Sequence, residues 1–70
     1  MTEIEFAGYM VSDFKETNQW VQSSNIFETY DDAWKYMINN SVTEGYQIIE
    51  KIWLNDRDEV CKWETIYNTQ

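Results

Sequence analysis

The sequence predicts a small α+β domain in the order β-β-α-β-β, with one helix packed on one face of an antiparallel sheet. Three patterns support this fold: two strand-like segments near the N-terminus, one central segment with helical spacing, and two strand-like segments around a polar turn. A helix with one apolar stripe and a sheet bury each other in two layers. We predict a single domain over residues 1–70, with an ordered core at about 4–67.

Both N-terminal segments are strand-like, and residues 4–14 show the clearer alternation. One face carries Ile4, Phe6, Met10 and Phe14, and the other carries Glu5, Tyr9, Val11 and Asp13. Gly8 lies within this strand, which indicates a bulge or a close backbone approach. After a polar turn at residues 15–18, residues 20–27 form a weaker strand pattern, since the serines and asparagine at 23–25 are poor strand formers.

A helix is predicted over residues 30–43. The hydroxyl of Thr29 can cap the free N–H groups of the first turn, and Asp31 and Asp32 complement the positive end of the helix dipole. Gly45 follows as a natural left-handed stop. The stripe with helical spacing consists of Tyr30, Ala33, Trp34, Met37, Ile38 and Ser41.

Residues 46–54 and 59–67 form a hairpin pattern around the turn at 55–58. A two- or four-residue loop pairs Ile52 with Cys61 and Ile48 with Thr65. This register gives one inner face, covered by the helix, on which Trp34, Met37 and Ile38 pack against Ile48, Ile52 and Trp63. The inner face carries Tyr46, Ile48, Ile52, Leu54, Cys61, Trp63 and Tyr67, with Glu50 as its polar exception.

The other face of the hairpin carries Ile49, Trp53, Val60 and Ile66 among charged residues. Since one helix covers only one face, this apolar patch predicts a contact surface. We predict that it is the interface of a homodimer, unless the first two strands curl over it and make it internal core.

Thirteen acidic and five basic residues give a net charge of −8. Such a surface repels nucleic acid and anionic membranes and attracts a basic partner, although charge of this size also serves solubility alone. The lone cysteine, Cys61, excludes an internal disulfide and fits a reducing compartment. With an acidic N-terminus and no long apolar segment, the chain is predicted to be cytoplasmic.

The residue types that most enzymes use are scarce in this chain. It has no histidine, the commonest acid–base group, and Cys61 is predicted to be an inert core thiol. Glu50 is either an acid–base candidate on an apolar face or a residue that reaches water or pairs with Lys51 or Lys35. The acids Asp56, Asp58 and Glu59 near the hairpin turn lack the spacing of an EF-hand calcium loop. We therefore expect no catalytic residues, no cofactor and no metal.

Small size, acidity and surplus aromatic residues are typical of phage-encoded inhibitors of host proteins, which act in the host cytoplasm. We predict a non-enzymatic protein that inhibits or modulates a larger basic protein, such as a nucleic-acid-binding protein. Acids two residues apart, as at Glu3 and Glu5, also suit mimicry of nucleic-acid phosphates.

Two alternatives remain open: a homo-oligomeric structural module, and a small-ligand binding module with an aromatic pocket. For the favoured reading, acids supply long-range attraction and aromatic side chains supply the anchors. The predicted partner-binding residues are Trp20, Glu28, Asp31, Asp32, Tyr36, Trp53, Asp56, Asp58 and Glu59.

Overall fold

The computed structural model describes residues 3–42 and 44–70 and shows one four-stranded sheet with one helix. Neighbouring strands are antiparallel, in the order β2-β1-β3-β4. The α+β class and the β-β-α-β-β succession are confirmed. The elements are β1 (Glu5–Phe14), β2 (Trp20–Ser23), α1 (Tyr30–Asn39), β3 (Tyr46–Leu54) and β4 (Val60–Asn68).

Gly8 marks a bulge in β1. The pairing of β1 with β3 shifts between Phe6 and Gly8, so Ala7 is the extra residue. Gly8 has a φ of +144°, and a Cβ at this position would lie 2.2 Å from the carbonyl oxygen of Phe27. The sequence expectation of a bulge or a close backbone approach is therefore confirmed in both forms.

The bulge also changes the face on which Phe6 lies. Strict alternation placed Phe6 with Met10, but its ring packs edge-on against Tyr9 at 5.4 Å and against Trp53 at the same distance. One extra residue reverses the inside–outside alternation on its far side, and this accounts for the error.

β2 is shorter than predicted, because the backbone hydrogen bonds after Ser23 are made differently. The backbone N–H of Val11 donates to the hydroxyl of Ser24 at 3.0 Å, and the N–H of Ser24 donates to the Val11 carbonyl at 2.8 Å. Further along, Phe27 and Tyr9 exchange two backbone hydrogen bonds. The serines thus end regular pairing with local side-chain bonds.

The helix starts where the sequence predicted and ends earlier. Thr29 is the N-cap, and its hydroxyl accepts from the backbone N–H of Asp32 at 3.2 Å. The helix ends at Asn39 because Asn40 caps it, with its side-chain amide donating to the Tyr36 carbonyl at 2.9 Å. Residue 43, the predicted end, lies outside the described residues. Gly45 has the expected positive φ, +93°, but it lies just before β3 instead of at the helix end.

The helix covers the face of the sheet opposite to the predicted one. The core joins Ala33 and Met37 of the helix to Val11 and Ile49 of the sheet. Trp34 packs edge-on against Tyr67, at 4.8 Å between ring centroids. Ile38, predicted to be buried, is 54% exposed. The predicted packing of Trp34, Met37 and Ile38 against Ile48, Ile52 and Trp63 is therefore wrong.

The apolar character of β3 on both faces explains this error. Ile48 and Ile52 point to one face and Ile49 to the other, and all three are buried. A strand with two apolar faces carries no signal for which one the helix covers. The chain enters the helix through Phe27, which packs with Tyr9 on the Val11 side, and this decides the face.

Two bulges in β4 change the predicted hairpin register. Ile52 pairs with Trp63 instead of Cys61, and Thr65 pairs with Glu50 instead of Ile48. The extra residues are Cys61 and Ile66, where the pairing shifts. Cys61 is consequently exposed and is not the predicted core thiol.

The predicted dimer interface does not form an open patch. Ile49 is fully buried under the helix, and Ile66 packs against the same core. Trp53 is half-buried beside Phe6, whereas Val60 lines the opposite face of the sheet. Because β4 bulges between these positions, the four residues are divided between two faces. Dimerisation itself stays a prediction.

Candidate functional site

The face of the sheet that the helix leaves uncovered contains a groove of about 250 Å³. The central strands β1 and β3 form its floor, and the two edge strands β2 and β4 form its sides. We call it the open-face groove. It is lined by Met10, Ser12, Phe14, Trp20, Ser23, Glu50, Ile52, Val60 and Trp63.

Two tryptophans form the sides of the open-face groove, one on each edge strand. Trp20 pairs with Phe14 across β2 and β1, and Trp63 pairs with Ile52 across β4 and β3. Their side chains stay largely in solvent, at 58% and 61% exposure. Indole rings that are held by strands and left exposed are typical anchors of protein interfaces.

The floor of the open-face groove holds a buried acidic residue. Glu50 is 8% exposed and lies on the central strand β3, where it pairs with Met10 of β1. The hydroxyl of Ser12 donates to Oε1 of Glu50 at 2.6 Å, a length typical of a charge-assisted bond to a carboxylate. The sequence placed Glu50 on an apolar face, as observed, whereas the reading that pairs it with Lys51 or Lys35 does not describe this position.

A chain of hydrogen bonds leads from the side of the groove to this carboxylate. Indole Nε1 of Trp20 donates to the hydroxyl of Ser23 at 3.0 Å, and the hydroxyls of Ser23 and Ser12 lie 2.8 Å apart. Since the one hydroxyl proton of Ser12 goes to Glu50, Ser23 must donate to Ser12. Every donor in the chain therefore points toward Glu50, and successive bonds polarise one another.

Glu50 has no cationic partner among residues 3–42 and 44–70, where the one ion pair joins Arg57 to Glu59 at 3.1 Å. Within the same residues, no hydrogen bond reaches its Oε2, and no buried side-chain oxygen or nitrogen lacks a partner. Oε2 is therefore open to the groove. Burying a carboxylate without a counter-charge is costly, so this position calls for an explanation.

The three predicted aromatic anchors lie in different places. Trp20 lines the open-face groove. Trp53 is half-buried on the helix side, with Nζ of Lys62 at 4.8 Å from its ring centroid. Tyr36 is half-buried against Phe27, with 5.3 Å between ring centroids. Of the three, only Trp20 lies in this groove, and its role as an anchor stays a prediction.

The predicted acidic residues form two groups outside the groove. Asp56 and Asp58 lie with Glu3 and Glu5 around a depression at the β3–β4 turn, where Glu59 pairs with Arg57. Glu28, Asp31 and Asp32 are exposed at the start of the helix. In the described part of the chain, no cluster of acidic or cysteine side chains has the geometry to hold a metal ion.

The groove residues that sequence reasoning missed are Ser12, Ser23 and Trp63. The serines lie in strand patterns that give no functional signal, and Trp63 was placed in the core because the helix was expected to cover the face that Trp63 shares with Ile52. Glu50 was the one signal available, as an acid within an apolar face. Its link to Ser12 depends on the pairing of β1 with β3, which is a non-local contact.

Comparisons of the chain with protein-family models, with curated proteins and with solved structures found no match. Across residues 3–42 and 44–70, no helix has the length and apolar character needed to cross a membrane. A functional assignment therefore starts from the geometry of the open-face groove.

Proposed function

We propose that the protein is a non-enzymatic binding protein that recognises a basic surface of a larger protein through the open-face groove and inhibits or modulates that partner. One observation carries the proposal: the buried carboxylate of Glu50 is open to the groove, has no cationic partner among residues 3–42 and 44–70, and lies between the exposed indoles of Trp20 and Trp63. A basic side chain from a partner supplies the missing counter-charge.

The composition of the open-face groove supports protein recognition. Interface energy concentrates in a few aromatic and arginine anchors that become fully desolvated, and tryptophan is enriched among them. Here two exposed tryptophans flank a floor that also contains the apolar side chains of Met10 and Ile52. Covering them removes apolar surface from water, and the pre-made serine network orders the floor before binding.

The charge of the chain supports a basic partner. A net charge of −8 attracts a positive surface over long range and raises the association rate. The acids at the helix start and the β3–β4 turn lie outside the groove, where rim charges act mainly on encounter. Nucleic-acid-binding proteins present such positive surfaces, and the proposal includes a protein of this class in the cytoplasm.

The groove supports neither of the two alternative functions, a homo-oligomeric structural module or a small-ligand binding module. Two copies that pair through the open-face groove bring two Glu50 carboxylates together without a counter-ion, which opposes a dimer through this face. Its volume of about 250 Å³ is below the range of roughly 300–1,000 Å³ usual for small-molecule pockets. A macromolecular surface that covers both tryptophans fits the shape better.

A comparative capture experiment tests the proposal. The parent protein, Trp63→Ser and the control Ile38→Ser are immobilised in parallel and exposed to cell lysate. Ile38 is a matched control because it is 54% exposed but lies on the helix, away from the groove. We expect a protein that the parent and Ile38→Ser retain, that Trp63→Ser loses, and that salt releases between about 50 and about 500 mM. Equal retention by all three proteins at both salt concentrations contradicts the proposal.

A further inference from the structure

Resting on this proposed function, we infer that the open-face groove receives one arginine side chain of the partner protein. The guanidinium bonds to Glu50 at the floor, and its flat face lies against an indole at the side. This ligand is inferred from one arrangement of side chains. The carboxylate of Glu50, which is 8% exposed and open at Oε2, lies between the exposed rings of Trp20 and Trp63.

The first step concerns the carboxylate. The Ser12 hydroxyl engages Oε1 at 2.6 Å and fixes the orientation of Glu50, while Oε2 stays available to a donor in the groove. A guanidinium presents its N–H donors in a rigid planar fork that matches a carboxylate. The open Oε2 can therefore accept N–H groups of that fork while Oε1 keeps its bond from Ser12.

The second step concerns the source of the cation. The chain has five Lys and Arg side chains, and all of them lie outside the groove. Arg57 pairs with Glu59 in the β3–β4 turn, and Lys62 lies over Trp53 on the helix side. Lys51 pairs with Tyr9 on the same side, Lys35 is on the helix and Lys15 is in the β1–β2 turn. None of these five side chains supplies a counter-charge to Glu50, so a cation of the partner can take that place.

The third step separates arginine from lysine. An ammonium is compact and strongly hydrated, whereas a guanidinium is weakly hydrated and stacks on aromatic faces. The exposed faces of Trp20 and Trp63 offer that stacking, and the neighbouring Met10, Ile52 and Val60 offer an apolar surface for the methylene stem. A lysine stem can use the same apolar surface, but its ammonium gives up more hydration and lacks the planar stacking of a guanidinium.

Peptide titrations followed by NMR test the inference directly. Three acetylated, amidated tripeptides are compared, with arginine, lysine or citrulline between glycines; citrulline keeps the shape of arginine but has no charge. Indole N–H signals of Trp20 and Trp63 report the two sides of the groove. We expect saturable shifts of both signals with the arginine peptide, at least about fivefold weaker binding of the lysine peptide, and no binding of citrulline.

Variants of the floor identify the site. Glu50→Gln is expected to abolish the arginine-dependent shifts, while it keeps an acceptor for Ser12. Glu64→Gln is the matched control, since it removes the same charge from an exposed position on β4. Trp63→Ser gives a second test should Glu50→Gln fail to fold, because this indole is 61% exposed. Unchanged arginine binding by either folded groove variant overturns the inference, and so does equal binding of the arginine and lysine peptides.

The two proposals fail in different ways. If the peptides do not distinguish arginine, but Trp63→Ser still loses the captured partner, the arginine inference fails and the binding function stands. If Trp63→Ser loses neither peptide binding nor the partner, both fail. If Trp63→Ser loses the captured partner and the parent protein binds the arginine peptide selectively, both the binding function and the arginine inference are supported.

Discussion

Ser12 and Glu50 lie 38 residues apart in the sequence, and the hydroxyl of Ser12 donates a 2.6 Å hydrogen bond to Oε1 of Glu50. The pair lies at the floor of the sheet face that the helix does not cover. Neither polar group adds to the apolar packing of the floor, and their hydrogen bond offsets part of the cost of burying the carboxylate. Their energetic consequence is open to direct measurement.

Ser12→Ala is expected to lower the free energy of unfolding by about 1–3 kcal/mol, because Oε1 of Glu50 loses its donor while it stays buried. Adding Glu50→Leu to that variant is expected to restore stability to the parent level or above, since an apolar pair needs no hydrogen bonds. Urea unfolding measures both, with the exposed Thr17→Ala in the β1–β2 turn as a control that stays within about 0.5 kcal/mol of the parent. A double variant as unstable as Ser12→Ala contradicts this account.

Met37→Ala is expected to destabilise the fold by about 2–5 kcal/mol, because Met37 fills the core between Val11 and Ile49. Ile38→Ala, one residue further along the helix, is expected to change stability by no more than about 0.5 kcal/mol, since its side chain is 54% exposed. Thermal or urea unfolding of the two variants compares the stability contributed by the buried and the exposed face of the helix. The reverse order of stabilities would show that the helix face is misassigned.

Thr29→Ala is expected to cost about 1 kcal/mol, because the backbone N–H of Asp32 loses its hydroxyl acceptor at the helix start. Thr29→Ser retains that hydroxyl and is expected to keep most of the stability. Chemical unfolding followed by circular dichroism distinguishes the two variants. Equal stability of the alanine and serine variants argues against a capping role.

Gly8→Ala is expected to destabilise the protein by more than about 1 kcal/mol. The added Cβ lies 2.2 Å from the Phe27 carbonyl oxygen, at a φ of +144° that L side chains rarely adopt. Relief requires Phe27 to move away from Tyr9, which breaks two backbone hydrogen bonds. A melting temperature equal to that of the parent rules out the close approach at the bulge.

Reversing Asp31 and Asp32 to lysine is expected to slow association with the captured partner more than it speeds dissociation, because both acids are exposed and lie outside the groove. Association and dissociation rates are measured with the partner immobilised on a sensor surface, at about 50 and about 500 mM salt. The difference in association rate between the parent and the variant should shrink at high salt. The double reversal of Glu16 and Glu44 to lysine, at exposed positions outside the helix and the groove, controls for the same change in net charge. An equal effect of that control assigns the rate change to overall charge instead of to the helix start.

Several features depend only on neighbouring residues, and these were predictable. Thr29 caps the helix because its hydroxyl reaches the N–H three residues on, and β3 begins and ends at the predicted residues, 46 and 54. Gly8 marks its bulge because a Cβ has no room there. The length of the helix was overestimated because Asn40 competes for the backbone with its own side chain.

The candidate site depended on contacts that no local pattern records. Val60 joins the open-face groove because the extra residue Cys61 in β4 changes the pairing, and a slip of one residue moves a side chain to the other face. Trp63 shares the face of Ile52, as the sequence predicted, but that face is open because the helix packs on the side of Val11 and Ile49. Glu50 meets Ser12 only because β1 lies beside β3 in the sheet. The acid was visible in the sequence, but its donor was not.

By itself, the sequence determined the class of fold, the succession of its elements and the acidic surface, because these follow from the order of residue types along the chain. Only the tertiary structure decided which face of the sheet the helix covers. β3 is apolar on both faces, so the choice came from the path of the chain through Phe27 onto the side of Val11. That choice buried Ile49 and left Glu50 facing the groove.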